Sequence, residues 1–247
     1  MASGSFMYLS WIIPTYNEEK RIEKTLREVE AYLKTKSFDY EIIVADSASR
    51  DRTREIVGKI AAEFKNVRIV GTEKRGKGLG VREGILAGQG RIRIFSDADN
   101  STAPGYFDQM LPLFEKGYDV VISSRDPKDA PGAARDVKEP WYREILGRLG
   151  NLLIQIFGVW GIWDTQNGFK AFTEKAAEDL FSRQTIPGFA FDIEILALAK
   201  KLGLKLAIIP VRWHFETESK VTLKAYLNVF LDVFRIRWNL LTNKYNI

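Results

Sequence analysis

The chain contains no cysteine and only one histidine. Disulfides, thiolate metal sites, cysteine nucleophiles and histidine clusters for zinc are therefore excluded, and a histidine-based triad has little to draw on. Any metal must sit on oxygen ligands. No run long enough to cross a membrane is free of charge, and the N-terminus lacks the basic, apolar and small-residue regions of a signal peptide. A cytoplasmic protein is expected, with residues 1–6 read as a leader and Met7 as the natural start. A large charge imbalance is also missing: Lys+Arg 37 against Asp+Glu 32 leaves +5. That modest basic excess suits phosphate-bearing ligands or an anionic membrane surface, without the character of a nucleic-acid binder.

What is present is ordinary globular composition: 45% hydrophobic, 28% charged, 19 Gly and 8 Pro in 247 residues. That length accommodates a single large α/β domain. Short Ile/Val-rich runs predict strands over Tyr8–Ile13, Tyr40–Ala45, Val67–Val70, Arg91–Phe95 and Tyr118–Ser123. Between them, helical spacing covers Glu18–Leu33, Asp51–Phe64, Leu79–Ala87 and Pro104–Phe114, with the stripe Ile22, Leu26, Val29, Leu33 the clearest. This alternation predicts right-handed crossovers and a mainly parallel sheet covered on both faces, with ligands at the carboxyl ends of the strands. Farther on, 126–140 reads as a lid-like loop, Trp141–Trp163 as an apolar helix, Gly168–Phe172 as a strand, Phe189–Leu202 as a helix, and Leu204–Trp213 as a strand broken at Pro210.

The residues after the strands carry the chemistry. Pro14-Thr15-Tyr16-Asn17-Glu18 and Asp46-Ser47-Ala48-Ser49-Arg50-Asp51 are polar turns; taken singly, Asn17 or Ser49 as a helix cap explains either one. Gly71 to Gly78 falls short of a phosphate-loop motif because Gly78 stands where a hydroxyl should bind magnesium, so it reads instead as a basic glycine-rich turn placing Lys77 near a diphosphate. Asp97-Ala98-Asp99 sets two carboxylates one residue apart. They repel unless a cation neutralises them, and oxygen-only ligation suits Mg²⁺ or Mn²⁺ shared with phosphates. The plainer alternative is a solvated turn in which Asp99 or Ser101 caps the helix near Pro104. Arg125, Arg143, Arg148 and Lys220 add cations suited to binding phosphates.

Taken together, the Pro-Thr-Tyr-Asn-Glu turn, Asp46, Asp97-Ala98-Asp99, Ser124-Arg125, Asp164-Thr165-Gln166-Asn167-Gly168-Phe169-Lys170, Phe191-Asp192-Ile193-Glu194 and Ser219-Lys220-Val221 resemble family 2 glycosyltransferases of the polyprenyl-phosphate sugar synthase group. The Asp164–Lys170 run and the closing Ser-Lys are more similar to glucose synthases of that group than to mannose synthases. The resemblance implies a GT-A fold and inverting transfer from a nucleotide diphosphate sugar, UDP-glucose by the subgroup, to dolichyl or polyprenyl phosphate. It implies that Pro14, Tyr16, Asn17, Glu18 and Asp46 surround base and ribose, with Lys77 and Ala98 also in the nucleotide pocket. Asp97 would lie beside ribose and metal, and Asp99 would bind the metal directly. Arg125, Arg143, Arg148, Gln166 and Lys220 would bind acceptor and donor phosphates, with Asp99, Arg125 and Lys220 carrying catalysis. Mannose synthases have Gln two residues after the second Asp, where this chain has Ser101.

The chemistry agrees with these residues. A phosphate monoester is already largely an anionic nucleophile at neutral pH, so no strong base is needed. Stabilising the leaving diphosphate and bringing two anions together are the tasks, and they need cations. On this reading 7–220 is one GT-A domain, with 7–125 the nucleotide-sugar half and 126–220 the acceptor half. Residues 221–247 form a basic amphipathic helix lying on the cytoplasmic face of a membrane, carrying Leu227, Phe230, Leu231, Phe234, Trp238 and Leu241. Three alternatives stay open: a mannose synthase using GDP-mannose, a family 2 transferase acting on a saccharide hydroxyl with Asp164 or Asp192 as base, and a nucleotide-sugar-binding scaffold.

Overall fold

A computed structural model of the chain describes residues 7–135, 150–213 and 223–247. The expected helix over 141–149, and with it Arg143, Arg148, Ser219 and Lys220, lies outside the described residues.

Four β/α units and a fifth strand come first: β1 (Leu9–Thr15), α1 (Ile22–Leu33), β2 (Tyr40–Ser47), α2 (Thr53–Glu63), β3 (Val67–Thr72), α3 (Lys77–Ala87), β4 (Ile92–Ser96), α4 (Phe107–Glu115) and β5 (Val120–Ser124). The helix predicted from Pro104 opens as a 3₁₀ turn, Pro104–Tyr106, with proline in its first turn where no amide is required. Then follow β6 (Ala134–Arg135), β7 (Phe169–Thr173), α5 (Glu174–Phe181), α6 (Phe191–Lys201), β8 (Leu206–Pro210), β9 (Arg212–Trp213) and α7 (Leu223–Leu241). The apolar segment before β7 is helical at 150–153, passes into a π turn at Ile154–Gly158, and turns again at Gly161, whose φ of +82° is left-handed. It therefore ends before the Trp163 predicted for the Trp141–Trp163 helix. The predicted last strand divides after Pro210: β8 stays in the main sheet, while β9 pairs with β6 in a two-stranded ribbon.

The main sheet has seven strands in the order β3-β2-β1-β4-β7-β5-β8. All are parallel except β7, which runs antiparallel between β4 and β5, pairing Ile94 with Ala171 and Val121 with Ala171. Because β7 is reversed, the 164–168 turn that precedes it reaches the same rim as the turns that follow the other strands.

Strand periodicity divides the core. Ile12, Ile43, Phe95 and Ile122 face α3, α5, α6 and α7, while Trp11, Ile13, Ile42, Val44, Ile94 and Val121 face α1, α2 and α4. The stripe Ile22, Leu26, Val29, Leu33 is fully buried. On the other face α3 lies very close to the sheet. A β-carbon on Gly80 would stand 2.5 Å from the Ser47 hydroxyl, and one on Gly84 would stand 2.5 Å from Ile12 and 3.0 Å from Ala45. These glycines trade helix propensity for close approach. Gly84→Ala should therefore lower the thermal unfolding midpoint, overpacking costing about 1–3 kcal/mol against a propensity gain of about 1 kcal/mol. A raised midpoint would contradict the close packing.

Candidate active site

Two loops at the carboxyl ends of β1 and β2 are laced together. The Asn17 amide donates to Ser49 Oγ (2.9 Å), the Arg50 amide to Asn17 Oδ1 (2.8 Å), the Glu18 amide to Thr53 Oγ1 (2.8 Å) and the Glu19 amide to Asp51 Oδ2 (3.1 Å). Asn17 and Ser49 thus bridge the loops; the N-cap positions of α1 and α2 are Arg21 and Arg52, neither of which makes a side-chain cap bond. Asp46, fully buried, accepts from the Ser49 amide (3.1 Å) and Thr15 Oγ1 (3.2 Å) and pairs with Arg54. Asn17, Ala48 and Asn100, each on a turn after a strand, have φ of 54°, 61° and 49°. For Ala48 that left-handed geometry costs roughly 1–2 kcal/mol, a strain of the kind held at functional rims. The Arg75 guanidinium lies 4.3 Å over the Tyr16 ring.

The turn after β4 is held from two sides: Thr25 Oγ1 of α1 donates to the Ala98 carbonyl (2.6 Å), and the Asp97 amide donates to the Gly168 carbonyl (2.9 Å). Gly168 leaves room for the Asp97 side chain as it stands, because a β-carbon there would fall 2.0 Å from an Asp97 carboxylate oxygen. Lys77 Nζ meets Asp97 Oδ1 at 2.6 Å, and Arg21 stands 4.0 Å from Asp99 while pairing with Glu18. Burial, then the like charge of Asp97, pushes the Asp99 pKa up. Desolvation works against the Lys77 charge, but Asp97, Asp192 and Asp99 outweigh it and raise its pKa. Asp99 accepts from the Ser101 amide (3.0 Å), an Asx turn and not a helix cap.

These donors fit a hard divalent cation. They are oxygens only, Asp99 carries a charge that its surroundings disfavour, and the Ser101 hydroxyl is buried with no hydrogen-bond partner among the described residues. No cluster of three or more His, Cys, Asp or Glu occurs among the described residues.

Across the rim, Arg125 is gripped by Asp164. Its amide and Nε donate to Oδ2, and a terminal nitrogen donates to Oδ1, each at 2.8 Å. The guanidinium also lies 5.3 Å from the Trp213 ring of β9. Asp129, in the loop after β5, accepts from the Trp163 amide (2.7 Å), the Asp164 amide (2.8 Å) and Ser124 Oγ (2.7 Å). Asn167 Nδ2 donates to Ser123 Oγ (2.8 Å), and Gln166 Nε2 to the Phe189 carbonyl (3.3 Å). Beneath the turn, Lys170 is fully buried, donating to the Asn167 carbonyl and to Asp192 (2.6 Å). Burial pulls the Lys170 pKa down and the Asp192 pKa up, each offset by the other's charge.

Pro14, Tyr16, Asn17, Glu18, Asp46, Lys77, Asp97, Ala98 and Asp99 therefore gather on one rim, with Arg125 and Gln166 on the β5–β7 side. Sequence reading missed Arg21, Arg75, Thr25 and Asp129. It also missed the pairing of Lys170 with Asp192, two residues it had noted separately. None of these carries a local signal, because each acts through a contact distant in sequence. The glycine-rich turn is also built differently from a phosphate cradle. Gly76 and Gly78 are small because the 186–188 backbone carbonyls pack against them, with a β-carbon on either coming within 2.5–2.9 Å.

The profile of Glycosyl transferase family 2 matches residues 10–181. The chain belongs to glycosyltransferase family 2. Among relatives in this family, dolichyl-phosphate beta-glucosyltransferase ALG5C of Trichomonas vaginalis is 35% identical over 95% of this chain and 72% of its own. The enzyme of the same name from Drosophila melanogaster is 35% identical over 92% and 74%, and the Homo sapiens one 31% identical over 97% and 78%. Glucosyl-3-phosphoglycerate synthase of Mycobacterium tuberculosis, solved with Mn²⁺, UDP and glucosyl-3-phosphoglycerate, shares the fold with TM-score 0.70 at 21% identity, over 93% of this chain and 78% of its own. The family's GT-A fold, expected from the sequence, is the one observed. Gly168→Ala should leave this glycosyltransferase folded but turn the Asp97 side chain away, weakening nucleotide binding by about tenfold, roughly 1.4 kcal/mol; calorimetric titration with UDP at wild-type affinity would contradict the packing argument.

Proposed function

We propose that this chain transfers glucose, with inversion, from UDP-glucose to dolichyl or a similar polyprenyl phosphate. The similarity to dolichyl-phosphate beta-glucosyltransferases over more than nine tenths of the chain carries this reading. In the reaction an acceptor phosphate oxygen forms a bond to the anomeric carbon as the bond to the UDP oxygen breaks. The acceptor brings its own negative charge, so no protein base takes a proton. That fits the two carboxylates once open as bases: Asp192 is sequestered on Lys170, and Asp164 orients Arg125. Pro14, Tyr16, Asn17, Glu18, Asp46 and Ala98 surround the nucleoside, and Lys77 neutralises diphosphate charge. Arg125, Arg143, Arg148, Gln166 and Lys220 hold the phosphates, and Asp164 fixes the angle of the Arg125 fork. Asp99 and Asp97 would hold Mg²⁺ or Mn²⁺, which when bound stabilises the diphosphate leaving group.

The membrane-facing part of the reading rests on α7. Its inner face is core, with Val233 and Ile236 buried; its outer face exposes Leu227, Leu231, Phe234, Trp238 and Leu241 in one stripe, Leu231 at 69% and Trp238 at 67%. Leu152, Ile156 and Trp160 form a second exposed ridge, joined to the first where Phe157 meets Phe234 at 5.0 Å between ring centroids. Arg235, Arg237 and Lys244 are exposed beside them. No helix among the described residues is long and apolar enough to cross a membrane. An interfacial seat on the cytoplasmic face of a bilayer accounts for both ridges and the basic flank.

Incubating purified protein with labelled sugar donors, dolichyl phosphate and Mn²⁺ should give a lipid-extractable product from UDP-glucose and not from GDP-mannose or UDP-N-acetylglucosamine. Product from GDP-mannose alone would replace the glucose assignment. Leu231→Glu combined with Trp238→Glu should abolish sedimentation with phosphatidylserine vesicles and reduce transfer to long-chain dolichyl phosphate by about tenfold or more, while transfer to a short, water-soluble prenyl phosphate persists. Unchanged sedimentation would count against the interfacial seat.

A further inference from the structure

Glu194 is fully buried on α6, far from solvent, yet carries a carboxylate. Four donors satisfy it: the Thr185 amide (2.9 Å), Thr185 Oγ1 (2.6 Å), the Ile186 amide (2.9 Å) and Tyr245 Oη (2.8 Å). Asn239 of α7 donates to Thr185 Oγ1 (3.3 Å) and Tyr245 Oη (3.4 Å). One buried group thus ties the C-terminal segment to residues 185–186, and burial makes each lost bond costly.

The next residues press on the Lys77 loop. The carbonyls of Pro187, Ile186 and Gly188 occupy the space that β-carbons on Gly76 and Gly78 would need. The Leu79 amide donates to the Pro187 carbonyl (3.3 Å), and Gln184 Nε2 bridges the Gly78 and Ile186 carbonyls, both at 2.9 Å. Lys77, between the two glycines, reaches Asp97. At the other end of the segment, the Phe189 carbonyl receives Gln166. Residues 184–189 therefore cannot shift without moving Lys77 or the 164–168 turn.

We propose that Tyr245 and Asn239 are positioning residues for the donor site, acting through the Glu194-pinned 184–189 segment on Lys77. The proposal rests on the reading of Lys77 as a diphosphate-binding residue. It links the helix with the exposed apolar stripe to the diacid rim by a continuous chain of bonds and packed backbone, and such a chain has energetic content only if its ends are coupled.

The test is a double-mutant cycle on the full chain, read as UDP affinity by calorimetry without lipid. Tyr245→Phe should weaken UDP binding by about fivefold, the lower end of ordinary coupling between sites, and should raise KM for UDP-glucose with kcat little changed. Asn239→Ala should act in the same direction. In a Lys77→Ala background, itself weak in UDP binding, Tyr245→Phe should have no further effect. A lowered unfolding midpoint with wild-type UDP affinity in both Tyr245→Phe and Asn239→Ala would reduce the network to a fold contact and overturn the proposal, as would independent, multiplying effects of Tyr245→Phe and Lys77→Ala. Wild-type UDP affinity in Lys77→Ala alone would instead remove Lys77 from the donor site, and with it the basis of the proposal.

Discussion

Everything on the rim answers to the repulsion between Asp97 and Asp99. Two half-buried carboxylates one residue apart are unfavourable by themselves: burial first, and then the like charge of Asp97, pushes the Asp99 pKa up. The protein opposes that charge with Lys77 against one carboxylate and Arg21 near the other. It also fixes where the carboxylates point. Gly168 leaves room for Asp97, Thr25 holds the intervening carbonyl, and the Ser101 amide holds Asp99. On the proposed reading, such a pair of carboxylates would take a cation and, with it, the anionic diphosphate.

The fold supplies this geometry through one reversed strand. Parallel strands deliver β1, β2, β4 and β5 turns to a common edge, but a fifth contribution requires a segment that enters that edge before its strand. β7 does this, setting the Asp164–Gly168 turn between Asp97 and Arg125. The Lys170–Asp192 pair then secures the turn from below. Such a pair contributes little net stability, since both charges lose water. Its effect is to hold the Asn167 carbonyl, and so the whole turn, in one place.

Much of this was legible in the residues themselves. Strand and helix periodicity located the first five strands and the four helices between them to within a few residues, and the polar turns after the strands were the ones that assemble. The antiparallel direction of β7 was not legible, because a short apolar run has the same period in either direction. Capping, a local rule, could account for Asn17 or Ser49 taken singly, but the bonds these residues make cross between loops more than thirty residues apart. The sequence reads Gly71 to Gly78 as a basic glycine-rich turn without saying why Gly76 and Gly78 are small; they answer to carbonyls of residues about a hundred positions away. Sequence patterns report local preference and burial period; they are silent on which distant backbone will come close.

The proposed reaction makes two demands, a greasy acceptor tail and a highly charged donor, and the apolar stripe of α7 and the diacid rim are the two surfaces suited to them. The account places the charge problem at Asp97 and Asp99, and its most direct test is the linkage between metal and nucleotide. Calorimetric titration of UDP into the protein with and without Mn²⁺ should show affinity rising by at least about tenfold with the metal. In Asp99→Ala that rise should vanish while the thermal unfolding midpoint stays near wild type. Metal-enhanced UDP binding retained in Asp99→Ala would contradict the account.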